Sequence, residues 1–126
     1  MAKKFKTKKG NSKLYPNMIY IDPEDVNAPQ DYIISKKVIF DGGLHSFSVA
    51  EVNWEGGIGY GLRWNVSRRE WDRNDKINGT IPCYGMPFST ATPVWFIIPN
   101  ITHDAVMHMI EEEKKQIKKE NYYYED

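Results

Sequence analysis

From residue 32 the chain alternates in a way that predicts strands. "YIISKKVIF" (32–40) runs into Asp41-Gly42-Gly43, a turn signal. "HSFSVAEVNW" (45–54) and "GYGLRWNV" (59–66) then flank Gly56-Gly57 and read as a hairpin. "TPVWFIIP" (92–99) is a continuous apolar run, the pattern of a fully buried strand, and Pro99 stops it. Upstream, Met18 to Ile21 form a short apolar run bounded by Pro16 and Pro23, which suits an edge strand. The pattern then changes period. Val106, Met109, Ile110 and Ile117 repeat at helical spacing, with Thr102 placed as an N-cap and Asp104 in the first turn. Glu111–Glu113 precede Lys114, Lys115, Lys118 and Lys119, giving Glu-to-Lys pairs four apart, and the helix should fray before Tyr122. The expected class is α+β: an antiparallel sheet of four or five strands with one C-terminal helix packed on one face.

Side-chain parity assigns a register to the hairpin. Ala50, Val52 and Trp54 share one face of its first strand, and Tyr60, Leu62, Trp64 and Val66 share one face of its second. If both apolar rows must lie on the same side, a three-residue loop Gly56-Gly57-Ile58 is required, pairing Trp54 with Tyr60. Glu51 then falls opposite Arg63 and Val49 opposite Asn65. The bland reading of that second face is a solvated surface with one ion pair, stabilising by at most ~1 kcal/mol. The sharper reading is a recognition surface bearing Arg63, Asn65 and Phe47, made shallow by Gly59 and Gly61. In this register Val106, Met109 and Ile110 pack against residues such as Val52, Trp54, Leu62, Trp64, Trp95 or Phe96. Trp64→Ala would then cost roughly 3–5 kcal/mol.

The 126 residues suit a single domain, read as residues 14–126 after a disordered basic arm over 1–13. Five of the first nine residues are lysine (Lys3, Lys4, Lys6, Lys8, Lys9), a pattern of phosphate-binding arms and of solubilising tails alike. Lys+Arg and Asp+Glu both total 17, so whole-chain charge names no partner. Residues 67–92 form a long connection, of the kind that is functional, partly disordered or hides a short element. No apolar stretch approaches the ~20 residues needed to cross a bilayer, and no apolar segment follows the basic N-terminus, so a cytoplasmic location and no membrane partner are expected.

Candidate chemistry concentrates in "RWNVSRREWDRNDK" (63–76). Arg63, Arg68, Arg69, Arg73 and Lys76 lie among Trp64 and Trp71, a mixture suited to phosphates and stacked bases, although Glu70, Asp72 and Asp75 interleave. The bland alternative is a solvated, salt-bridged turn. Catalytic material is thin. Cys83 is the single cysteine, in "PCYGMP", and no signature spacing links it to His45, His103 or His108. His103 and His108 are five apart, which misses the spacing that puts two ligands on one helix face. No metal, cofactor or catalytic residue is assigned.

With "VNWEGGIGYGLRW" (52–64) followed by "WFIIPNITHDAVMHMIEE" (95–112), the chain resembles the positive-cofactor-4-like single-stranded-DNA-binding proteins. The resemblance implies a four-stranded sheet with a helix, homodimerisation through that C-terminal helix, and single-stranded DNA on the concave sheet face. Arg63 and Trp64 are the positions it carries over, as a DNA-facing residue and a core or stacking residue. Residues 67–92 exceed the family's connection, and Pro99 interrupts its strand-to-helix entry.

These readings converge on a non-catalytic module that binds single-stranded DNA or RNA. Arg63, Arg68, Arg69 and the lysine arm would take phosphates, with Trp71 or Phe47 as stacking platforms and Asn65 as a further nucleic-acid-binding residue. Two alternatives stand beside it. One is a protein-interaction domain using residues 67–92 and the tyrosine-rich tail; the other is a small enzyme using Cys83 with a histidine.

Overall fold

The computed structural model describes residues 5–10, 12–29, 32–85 and 93–124, with side chains through Lys118. Strands β3 (Ile33–Asp41), β4 (Phe47–Trp54), β5 (Gly57–Trp64) and β6 (Phe96–Pro99) form an antiparallel sheet in that order. Two further strands, β1 (Thr7–Lys9) and β2 (Ile19–Ile21), pair antiparallel in a separate sheet. Helix α2 (His103–Tyr124) closes the chain. The α+β class therefore stands: four strands in the main sheet and one long C-terminal helix. No helix among the described residues is long and apolar enough to cross a membrane.

The hairpin register differs from the expected one, with a clear physical cause. The turn is the two-residue Glu55-Gly56, so Trp54 pairs with Gly57, Val52 with Gly59, Ala50 with Gly61 and Ser48 with Arg63. The apolar rows of β4 and β5 thus lie on opposite faces. This is tolerated because both faces are covered, which removes the requirement that the rows share a side.

On one face Ala50, Val52 and Trp54 pack with Ile21, Val26 and Trp95, and the glycines of β5 make room for the two indoles. A Cβ on Gly61 would lie 3.0 Å from the Trp95 side chain, and one on Gly59 would meet the Ile98 carbonyl oxygen at 2.5 Å. On the other face Val106 and Ile110 of α2 pack with Phe40, Val49 and Tyr60, flanked by Phe47, Leu62 and Ile98. The helix does not contact the Val52–Trp54–Trp95 row assigned to it from parity. Burying Val106 and Ile110 stabilises this contact by about 1.5–3 kcal/mol per side chain. Tyr60 Oη also meets His103 Nδ1, and Ser46 Oγ donates to Glu113, so α2 crosses the sheet from β5 toward the start of β4.

Several other expectations are corrected. The "TPVWFIIP" run is not a fully buried strand: Phe96–Pro99 pairs at the sheet edge, Val94 makes an isolated bridge to Ala28, and Phe96 is 70% exposed. Residues 7–9 of the basic arm are ordered as β1, and Lys8 Nζ reaches Asp41 at 2.7 Å; Lys3 and Lys4 lie outside the described residues. The 67–92 connection holds two short helices, a 3-10 helix Arg68–Asp72 and α1 (Asn74–Ile77), while residues 86–92 lie outside the described residues. A 3-10 turn, Asn100–Thr102, precedes α2, and the Thr102 hydroxyl donates to the Pro99 carbonyl instead of capping the helix. The helix then continues past Tyr122.

Among the described residues no further strand pairs with the outer side of β3, and its sequence guards that edge. Its ladder slips between Ile33 and Ser35 and again between Val38 and Phe40, as bulges do, and it carries Lys36 and Lys37. Lys36 Nζ binds the Glu24 carbonyl and Asn27 Oδ1, tying the edge to the loop beside it.

Candidate nucleic-acid interface

A cleft of about 420 Å³ opens where the β3–β4 turn, the exit of β5 and the 3-10 helix Arg68–Asp72 meet, lined by Leu44, His45, Trp64, Val66, Arg68 and Trp71. Its apolar base is Leu44 and Val66, which join Met18, Tyr20 and Cys83 in a buried cluster. One wall is aromatic. The His45 imidazole lies parallel to the Trp71 indole, centroids 4.9 Å apart and planes 15° apart, and Tyr15 leans on the same indole at 5.0 Å. Trp64 also lines the cleft, with Phe47 edge-on to it at 6.2 Å. Trp64 is 59% exposed.

Two buried polar networks hold these walls in place. In the first, Asp41 accepts from the Tyr20 hydroxyl, Lys8 Nζ, Asn65 Nδ2 and the Gly43 amide. Asn65 Nδ2 also donates to the Gly43 carbonyl at 2.8 Å, and Ser48 Oγ donates to Asn65 Oδ1 at 2.7 Å. This fixes the turn that presents Leu44 and His45. Burial alone would raise the Asp41 pKa, but the bonds from Lys8, Gly43 and Tyr20 outweigh it and hold the carboxyl below its ordinary value.

The second network is centred on Glu70. Its carboxylate accepts from the backbone amides of Ser67, Tyr84 and Gly85 and pairs with Lys76 Nζ at 3.1 Å. Lys76 in turn donates to the Pro82 carbonyl and lies 4.2 Å above the Tyr84 ring. One acidic side chain thereby staples the Arg68–Asp72 helix to residues 82–85 and sets the positions of Arg68 and Trp71. Burial pushes the Glu70 pKa up, the donated bonds pull it further down, and the net shift is downward.

The six residues nominated from sequence do not converge. Arg68 and Trp71 line the cleft, and Arg69 is exposed beside Arg68. Phe47 backs Trp64 and is half-buried in the α2-side core. Asn65 is fully buried in the Asp41 network, so it is a structural residue. Arg63 is only 6% exposed and lies opposite Ser48, not Glu51. Its Nη2 donates to the Tyr84 carbonyl at 2.6 Å, while Nε and Nη1 have no hydrogen-bond partner among the described residues. Burial lowers its pKa to about 10, against the pull of the Glu70 and Asp41 charges, so it remains charged at neutral pH. Gly85 closes over it with φ +72°, where a Cβ would meet the Trp64 carbonyl oxygen. Arg63 therefore cannot meet a phosphate outside the fold.

Sequence reasoning missed His45, Leu44 and Tyr15 as parts of the site; of its two readings of Trp64, core or stacking residue, the 59% exposure excludes the core. The signal available for His45 was its place in the Gly42-Gly43 turn, since side chains on tight turns project from the fold. Cys83, the candidate nucleophile of the enzyme alternative, is fully buried in the cluster beneath the cleft, and burial pushes its thiol up to about 12. Among the described residues, no three His, Cys, Asp or Glu side chains are grouped to hold a metal ion.

The fold and site define an α+β domain with an arginine-rimmed aromatic cleft at one end of its sheet. Comparison with protein-family models, with curated proteins and with solved structures finds no match.

Proposed function

We propose that this chain is a non-catalytic module that binds single-stranded nucleic acid, holding a base in the aromatic cleft. The observation that carries the reading is the exposed Trp64 indole, which lines the same cleft as the His45–Trp71 stack and Arg68. A base has two π-faces and an attached phosphate; the cleft offers ring surface and a guanidinium. Stacking on an aromatic side chain contributes about 1–3 kcal/mol per base, and Arg is suited to phosphate.

The charge distribution sets the strength of this binding. With Arg63 buried, Arg68 lines the cleft and Arg69 is the exposed arginine next to it in the chain. If each neutralises one phosphate, log K against log salt should fall with a slope of about −1.4 for a single strand. Binding is thus modest, more dependent on stacking than on ion release. Among its described side chains, helix α2 spends its apolar stripe on its own sheet and turns Glu111, Glu112, Lys114 and Lys115 outward.

Fluorescence anisotropy of labelled oligothymidylate and its RNA counterpart, titrated at several salt concentrations, tests the reading. Saturable binding that Trp64→Ala weakens at least fivefold supports it, provided the variant melts like the parent. No binding at low salt would overturn it and return the cleft to the protein-interaction alternative.

A further inference from the structure

Trp64 does not stand alone on its face of the sheet. Leu62, two residues earlier on β5, points the same way, and Leu62 pairs directly with Phe96 of β6. Trp64, Leu62 and Phe96 therefore form one strip, on the face that α2 covers elsewhere. The helix contacts Tyr60 through His103, crosses Val49 and Phe40 through Val106 and Ile110, and reaches Ser46 through Glu113. Among the described residues, that path leaves the Trp64–Phe96 corner uncovered. Its two aromatic members are 59% and 70% exposed, and Leu62 between them is half-buried.

Spacing and chemistry point to one occupant. One step across the ladder and two residues along the strand separate the Trp64 and Phe96 backbones by about 8 Å. An unstacked dinucleotide step spans that distance. The strip begins at the cleft, so a strand with one base at Trp64 is already aimed along it. Among the described residues, Arg68 and no acidic side chain lines the cleft, which suits a polyanion.

Resting on the reading of the cleft above, we infer that the site extends over two successive bases of one strand, the first against Trp64 in the cleft and the second on Phe96, with Leu62 as the apolar floor between them. Phe96 is then a binding residue, and the minimal ligand is a dinucleotide, not a single nucleotide.

The experiment compares the intact protein with Trp64→Ala and Phe96→Ala. Labelled twelve-residue oligothymidylate is competed with unlabelled thymidylates of one, two and three nucleotides, and sedimentation velocity reads the oligomeric state of each protein. The expected result is a gain of about 5- to 150-fold between one and two nucleotides, absent in Phe96→Ala, whose affinity for the mononucleotide is unchanged. Binding that Trp64→Ala weakens while Phe96→Ala leaves the one-to-two gain intact overturns the two-base track and keeps the cleft. No binding by the parent overturns both. A parent dimer that Phe96→Ala dissociates, with oligonucleotide affinity unchanged, makes the strip a contact between copies of the chain and also overturns the track.

Discussion

Glu70→Gln is the sharpest test of how the site is held. The substitution keeps the size of the side chain but removes its charge and replaces one acceptor oxygen with an NH2 donor. In the parent, Glu70 Oε1 accepts from the Ser67 and Gly85 amides at 2.9 Å each, and Oε2 accepts from the Tyr84 amide at 2.7 Å and faces Lys76 Nζ at 3.1 Å. The side chains of Glu70 and Lys76 are 7% and 3% exposed, so water cannot take over these bonds. Whichever way the amide is turned, an NH2 group confronts a backbone N–H or the ammonium, and Lys76 is left as a buried charge without its counterion. Breaking a buried pair from one side costs about 3–5 kcal/mol. For a chain of this length each kcal/mol moves the melting temperature by about 4 °C, so the midpoint should fall by roughly 12–20 °C. Circular dichroism melts read this directly. The matched control is Glu111→Gln, which removes an exposed partner of Lys114 at 3.6 Å and should cost less than about 1 kcal/mol. A Glu70→Gln melt no lower than that of the control would refute the claim that one carboxylate staples the cleft's helix to residues 82–85.

Three further outcomes follow from the same structure. Gly59→Ala should destabilise by about 1–3 kcal/mol and loosen the β5–β6 pairing, because its Cβ would lie 2.5 Å from the Ile98 carbonyl oxygen; a neutral melt would contradict the register. Cys83 should resist a thiol-reactive dye at neutral pH in the folded protein and react fully in denaturant, since burial removes both access and the thiolate; fast labelling of the native chain would contradict its placement. Stability should fall in acid. Glu70 and Asp41 are held below their ordinary pKa values, so the unfolded chain takes up these protons first as pH drops. Their contribution is fully present above the unfolded carboxyl range, near pH 4–4.5, and is lost as pH falls through the lower folded values. Denaturant midpoints that stay level from pH 6 to pH 3 would contradict both networks.

The hairpin strands, β3 and the long helix of this protein are written in its local pattern, whereas β1 and the short helices of 68–77 are not. Period-two alternation over 32–66 and the 3.6-residue stripe Val106–Ile110–Ile117 depend only on which face each residue presents, and the turn glycines punctuate them. The class of fold follows from that. Which face is buried is a different matter. Parity cannot distinguish a sheet covered on one side from a sheet covered on both, and here residues 18–26 and Trp95 cover the face that β4 alone would have left to the helix. That single fact shifts the hairpin register, turns Arg63 and Asn65 inward, and leaves Trp64 at the surface. The Arg68–Trp71 segment was legible as arginines among aromatics, yet its partners His45 and Tyr15 come from distant parts of the chain, and only long-range packing brings them within 5 Å of Trp71. The charged residues behave alike: sequence counts Glu70 and Lys76 as solvated members of a mixed-charge turn, while the fold removes water from both and makes them a structural pair. Local periodicity determined the elements; desolvation, which exists only once the layers are stacked, decided which side chains hold the fold and which remain to meet a ligand.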